Sequence, residues 1–204
     1  ASGKEPLTLY YKDFDGNGSV DPVLCYYVQG VSYPFNSRDD LADQIPMLKK
    51  KFLEYHVYAD AKINDVFTDD QLRDARELTA QTLSTVYLQN DGQAGFTQKD
   101  LPNEIQYAPV YAVTSLDVNG DGKKDIIAAG NNTWTRIKLG RFDASFGCLL
   151  LGDGKGGFTY VPQWQSGLNL RGNIRNVKTI TEKNKTQLFF AANDAPLKIK
   201  ELGK

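Results

Sequence analysis

The chain repeats itself. Leu88-Gln-Asn-Asp-Gly-Gln-Ala-Gly-Phe-Thr97 aligns with Leu150-Leu-Gly-Asp-Gly-Lys-Gly-Gly-Phe-Thr159, which sets Asp91 on Asp153, Gly92 on Gly154, Gly95 on Gly157 and Phe96 on Phe158, each pair 62 residues apart. Asp125-Ile-Ile-Ala-Ala-Gly-Asn131 meets Gln187-Leu-Phe-Phe-Ala-Ala-Asn193 at the same offset. A fixed period restricts the fold to stacked copies of one supersecondary unit.

Two acidic loops depart from that period. Asp13-Phe-Asp15-Gly-Asn17-Gly-Ser-Val-Asp21 and Asp117-Val-Asn119-Gly-Asp121-Gly-Lys-Lys-Asp125 are 104 residues apart, which places an insertion of 42 residues inside the first repeat. The insertion is expected at about 31–80, where helical signals concentrate. Ser37 can cap a helix carrying Leu41, Ile45, Leu48 and Phe52, interrupted at Pro46. Thr68-Asp-Asp-Gln71 is a capping box, with Leu72, Ala75, Leu78, Thr79 and Thr82 following at helical spacing.

Elsewhere, short runs rich in Val, Ile, Tyr and Phe alternate with Gly, Asn and Asp turns: 7–11, 23–28, 110–116, 126–129, 148–151, 174–180 and 188–191. Asn90-Asp91-Gly92 and Gly152-Asp153-Gly154 read as tight turns between antiparallel strands. The expected fold is mainly β: about three antiparallel four-stranded blades of propeller type, with a two-helix insertion in the first. Residues 1–204 would form one propeller-like domain or a fragment of one. Repeat 1 covers about 7–105, repeat 2 about 106–170, and an incomplete, degenerate repeat 3 about 171–204.

Oxygen-bearing side chains at loop positions 1, 3, 5 and 9, with Gly at 6, curl a chain around one hard cation. Asp13, Asp15, Asn17 and Asp21 with the carbonyl of Ser19 form one such set; Asp117, Asn119, Asp121 and Asp125 with the carbonyl of Lys123 form the other. Three carboxylates and an amide suit Ca2+ better than Mg2+, which holds its waters, so two calcium sites are expected. An EF-hand is excluded, because position 12 is Leu24 or Ala128 where a bidentate Glu is needed and both flanks read as strands. The third repeat offers Thr179, Thr181, Lys183 and Gln187 at the ligand positions, a set expected to hold no ion.

The Asp-x-Asp/Asn-x-Asp/Asn-Gly-x-x-Asp loops, each followed by an apolar strand, together with Leu149-Leu-Leu-Gly-Asp-Gly-Lys-Gly-Gly-Phe-Thr159, resemble the FG-GAP/VCBS repeat of integrin α-chain propellers and many secreted bacterial proteins. With Ser37-Arg-Asp-Asp-Leu41, Leu48-Lys-Lys-Lys-Phe52 and Tyr58-Ala-Asp-Ala61, the arrangement also resembles the C-terminal part of large Bacteroidetes VCBS-repeat proteins, related to the ASPIC/UnbV, cartilage-acidic-protein type. The resemblance implies a calcium-binding propeller segment of an exported or cell-surface protein, serving adhesion or ligand binding. Propellers close with about four to eight blades, so the remaining blades would come from a longer chain or another subunit.

Other readings stand beside it. Part of a polysaccharide-acting enzyme is one, although no Gly-x-Ser-x-Gly elbow, P-loop or His-Glu-x-x-His occurs and the single His56 has no evident nucleophile. A calcium-dependent glycan-binding module is another, with Trp134 and Trp164 as stacking surfaces; half-buried packing between blades is the plainer expectation for both indoles. With 24 basic against 25 acidic residues there is no basic excess to suggest nucleic acid, and no apolar run is long enough to span a bilayer. Residues 1–6 lack a signal-peptide pattern, which leaves a cleaved or upstream signal open. Cys25 and Cys148, both in apolar segments, read as small buried thiols in preference to a disulfide. Asn131-Asn-Thr133 and Asn184-Lys-Thr186 fit the glycosylation sequon.

Overall fold

The computed structural model describes residues 1–183 and 185–202. The chain is mainly β, with 39% strand against 18% helix, in several antiparallel sheets, none of which closes on itself among the described residues. It divides into two compact units, Ala1–Leu83 and Ser84–Lys204.

In the first unit, strands β1 (Leu7–Lys12), β2 (Asp21–Val28) and β3 (Val31–Pro34) form a meander. Gln29 and Gly30, both at positive φ, make the two-residue turn that sets Val28 opposite Val31. A helical stretch follows: α1 (Arg38–Gln44), α2 (Leu48–Lys51), α3 (Tyr55–Ala59), α4 (Ile63–Val66) and α5 (Asp69–Arg73). Strand β4 (Arg76–Ala80) then returns to β1, giving the sheet order β3-β2-β1-β4.

The insertion thus differs from the expected two helices. Ser37 caps α1 through the Asp40 N–H, and the chain breaks at Pro46 before restarting at Leu48. The Thr68–Gln71 capping box is formed in both directions, yet α5 stops at Arg73. Leu78 and Thr79 continue as strand, opposite Leu9 and Thr8. Pairing with the free edge of β1 outweighs the helical spacing of a short segment.

Period-two alternation along β2 turns Val23 and Cys25 inward and leaves Pro22 and Tyr26 exposed. The inward face meets Leu41, Ile45, Leu48, Phe52, Ile63, Val66 and Phe67 of the helical stretch. Phe14 stacks on Phe67 with ring centroids 4.1 Å apart, and Phe52 meets Tyr58 edge-on at 5.2 Å.

The second unit opens with a hairpin, β5 (Val86–Asn90) and β6 (Phe96–Asp100), and a 3-10 turn at Asn103–Gln106. The Gln106 side-chain amide exchanges two hydrogen bonds of 2.8 Å with the Thr85 backbone, imitating a strand partner. Strands β7 (Val110–Leu116), β8 (Asp125–Gly130), β9 (Cys148–Gly152) and β10 (Phe158–Val161) form a sheet of order β10-β9-β8-β7. After a short helix, α6 (Gln163–Ser166), strands β11 (Ile174–Glu182), β12 (Lys185–Ala192) and β13 (Lys198–Glu201) form the last sheet.

Strand β8 is covered on both faces, hence its unbroken apolar run. Ile127 and Ala129, with Leu149 and Ala112, pack against Ile174, Val177, Leu188 and Phe190 of the last sheet. Ala128, with Cys148 and Leu150, packs against Ile105 on the other side. Tyr87 of β5 meets Phe158 edge-on at 5.2 Å. The repeated Asp-Gly-x-x-Gly turns are also alike: Asp91 accepts from the N–H groups of Gln93 and Gly95, Asp153 from those of Lys155 and Gly157. A Cβ on Gly95 or Gly157 would run into the carboxylate that holds its own N–H, so glycine is required there.

Among the described residues no helix is long and apolar enough to cross a membrane. Cys25 and Cys148 are free and buried, as their apolar surroundings suggest. Burial pushes the Cys25 thiol up to about 12 and the Cys148 thiol up to about 11. In the unfolded chain a thiol ionises near pH 8.5. The stability these groups carry is therefore complete below about pH 8.5 and is lost as pH rises towards the folded values. Neither thiol should react with a thiol reagent near neutral pH in the native protein, both should react after urea unfolding, and the urea midpoint should fall as the buffer is raised above about pH 8.5. Reaction of either thiol in the native protein at the rate of a free cysteine would contradict this burial.

Candidate metal centre

Each acidic loop joins the first two strands of a four-stranded sheet, β1 to β2 and β7 to β8, and the two are built alike. Asp13 Oδ1 accepts from the N–H groups of Gly16 (2.7 Å) and Asn17 (3.0 Å), and Oδ2 from Gly18 (2.8 Å). At the second loop Asp117 Oδ1 accepts from Gly120 (2.7 Å) and Asp121 (3.2 Å), and Oδ2 from Gly122 (2.8 Å). Gly16, Gly18, Gly120 and Gly122 all lie at φ between 75° and 86°, the left-handed region that lets the backbone wrap the first carboxylate.

The ninth position closes each loop. Asp21, 2% exposed, accepts from the Phe14 N–H at 2.9 Å. Asp125, fully buried, accepts from the Val118 N–H at 2.8 Å and also from the Gly152 N–H at 2.9 Å, tying the loop to the end of β9. A Cβ on Gly152 would strike the Lys124 carbonyl, so glycine permits that approach.

The second position of each loop points into a core, which the oxygen spacing alone does not announce. Phe14 is buried in the helical core, and Val118 packs against the core between the last two sheets. The signal was present as one apolar residue, at the same place, in each otherwise polar loop.

The loops differ in charge placement. Carboxylate oxygens of Asp13, Asp15 and Asp21 lie within 4.8 Å of one another. Burial raises the Asp21 carboxyl above the ordinary carboxylate range, and the charges of Asp15 and Asp13 raise it further against the bond from Phe14. The Asp13 carboxyl is lowered, chiefly by the Gly18 N–H. Three oxygen donors around one small volume, with mutual repulsion to relieve, fit a hard divalent cation. Asn17 turns its Oδ1 to the Ser19 N–H at 2.7 Å. In the second loop Asn119 stands in place of Asp15, and Lys123 Nζ pairs with Asp121 Oδ2 at 3.2 Å. That ammonium and the Lys123 N–H lower the Asp121 carboxyl, the N–H being the larger cause. A cation at this loop has to compete with Lys123.

The corresponding positions of the third repeat do not form such a loop. Thr179 and Thr181 lie within β11, opposite Leu188 and Thr186, in a hairpin whose last pair is Glu182 with Lys185.

The other candidates are scattered. Trp134 follows β8 and is 75% exposed, while Trp164 in α6 is 80% exposed; neither is half-buried between sheets as expected. His56 lies at the surface of α3, with Nδ1 3.1 Å from Glu54. Asn131, the first sequon asparagine, is buried and its Nδ2 donates to the carbonyls of Ser145 and Gly172, so it is closed to modification in the fold. Asn184, the second, lies outside the described residues.

Replacing Asp125 by Ala leaves the buried Gly152 N–H and the part-buried Val118 N–H without an acceptor and should cost about 2–5 kcal/mol in urea denaturation, even in chelator. Replacing the exposed Asp121 should change stability far less while still removing an oxygen from the second loop. Equal losses for the two variants would mean that Asp125 does not have this closing role.

Compared with known proteins, the chain matches no family model, no curated protein and no solved structure.

Proposed function

We propose that the chain is a calcium-braced, non-catalytic segment of an exported or cell-surface protein, with sheets arranged as propeller-type blades and a role in adhesion or ligand binding. One observation carries the calcium reading: two loops 104 residues apart make the same hydrogen bonds at equivalent positions, and in the first they gather three carboxylates within 4.8 Å. Asp13, Asp15, Asn17, Asp21 and the Ser19 carbonyl would hold one ion; Asp117, Asn119, Asp121, Asp125 and the Lys123 carbonyl would hold the other.

The blade reading rests on the repeat and on the order of β7 to β10, a four-stranded antiparallel meander stacked on the next sheet. The FG-GAP/VCBS likeness of the loops agrees with it. Extracellular calcium modules of moderate ligand charge bind at about 10⁻⁴ to 10⁻³ M, so such loops fill only where calcium is plentiful, which supports export. Aspartates committed to an ion stay ionised and cannot serve as general acids, so the loops supply no acid–base pair for hydrolysis.

Calorimetry on a chelator-stripped sample should show two binding events, the first loop tighter because no lysine competes there. Asp13→Ala should abolish one event, Asp117→Ala the other, and Lys123→Ala should strengthen the second. Absence of binding at millimolar calcium would end this reading.

A further inference from the structure

The second unit contains a cleft of about 160 Å³ to which four segments contribute. Glu104 and Tyr107 come from the 3-10 turn and its end, Ser145 and Cys148 from the stretch leading into β9, Tyr160 from β10 and Gln163 from α6. Its frame is bonded together from within. The Cys148 thiol donates to the Glu104 carbonyl at 3.4 Å, the Ser145 N–H to Asn131 Oδ1 at 3.1 Å, the Gly147 N–H to Ser145 Oγ at 3.2 Å and the Leu170 N–H to the Phe146 carbonyl at 2.8 Å. A cleft framed in this way takes a ligand at little ordering cost.

One charge in the cleft is uncompensated. Glu104 is half-buried, and its carboxylate makes no hydrogen bond or ion pair among the described residues. Burial raises the Cys148 thiol, and the Glu104 charge raises it further. Burial, then the Cys148 and Glu104 charges and the Tyr107 phenol, raise the Tyr160 phenol against the hydrogen bond from the Gln163 N–H. Carboxylate, thiol and both phenols thus lie within electrostatic reach of one another. Among the described residues no lysine or arginine lines the cleft, and the Gln163 amide is the one lining side chain with N–H donors. Phe146 already carries the Arg171 guanidinium 5.3 Å from its ring centroid, which leaves the exposed Tyr107 and half-buried Tyr160 rings to a ligand.

We infer that this cleft binds an organic cation, an alkylated ammonium group set against the Glu104 carboxylate and the Tyr107 and Tyr160 rings. Such a group meets the carboxylate through its charge and the ring faces through their quadrupoles. An anion would face Glu104 as a like charge. A hard metal ion needs several oxygen ligands where a single carboxylate stands. A neutral sugar would stack on the rings and bond Gln163 but would cover the carboxylate without compensating it. The inference goes beyond the calcium reading and does not rest on it, since the cleft shares no residue with either acidic loop.

The test uses the full chain stripped of divalent cations, so that this site and the acidic loops are read separately. Calorimetry compares choline with neopentyl carbinol, its uncharged carbon isostere, and with glucose. Acetylated trimethyllysine amide stands for the same cation carried on a protein side chain; binding of it or of choline supports the inference, and the tighter of the two names the source. The cation is expected to bind about tenfold more tightly than the isostere, with glucose unable to displace it. Glu104→Gln should weaken that binding about tenfold and Tyr107→Ala about fivefold. Both variants should keep the parent's thermal melt, because the Glu104 carboxylate is unbonded and Tyr107 is exposed. The inference fails if neither cation binds, if the isostere binds as tightly as choline, or if Glu104→Gln binds choline as well as the parent. Displacement of choline by glucose would also overturn it and assign the cleft to a sugar.

Discussion

A buried carboxylate at the first residue of a strand holds each acidic loop shut. Asp21 and Asp125 lie away from solvent, where an unpaired charge is costly, and each is satisfied by the backbone N–H of the loop's second residue. That bond fixes where Phe14 and Val118 enter their cores. The loop backbone, the start of the strand and the apolar packing beneath are thereby set by one group. The exposed aspartates around the rim can vary in charge and partner, as Asn119 and the Lys123–Asp121 pair show, without disturbing that closure.

The same strand pair is covered in two ways. Val23 and Cys25 in the first unit are equivalent to Ile127 and Ala129 in the second, 104 positions on. The later pair packs on β11 and β12, whereas the earlier pair packs on the helical stretch. The insertion therefore supplies the apolar cover that another sheet supplies elsewhere. Its helices are short and owe their stability to packing, each delivering one or two side chains, such as Leu41, Ile63 or Val66, onto the sheet face.

Much of this was legible in the residues. Strand runs at 7–11, 110–116 and 126–129 reappear within a residue or two, because their apolar content matches one-sided or two-sided burial. Both acidic loops were visible from oxygen spacing and glycine placement. What escaped was decided at a distance. Strand β4 carries residues that read as helix and becomes strand only because β1 offers an edge. The Asp125 bond to Gly152 spans two strands, and no local pattern announces it. The exposure of both tryptophans contradicts composition-based expectation, since loop geometry and not ring chemistry decides whether an indole is covered.

The return of β4 to β1 has a kinetic side. Leu7 pairs with Ala80 and Leu9 with Leu78, so this seam joins the beginning of the unit to its end, whereas β7 to β10 are linked only to sequence neighbours. Loop-closure entropy makes such a seam slow to form relative to hairpins. During synthesis β1 emerges first and has β2 on one side only until residues 76–80 arrive. Its other edge is an open template for foreign strands over that interval, which lasts for as long as the helical stretch between takes to be made.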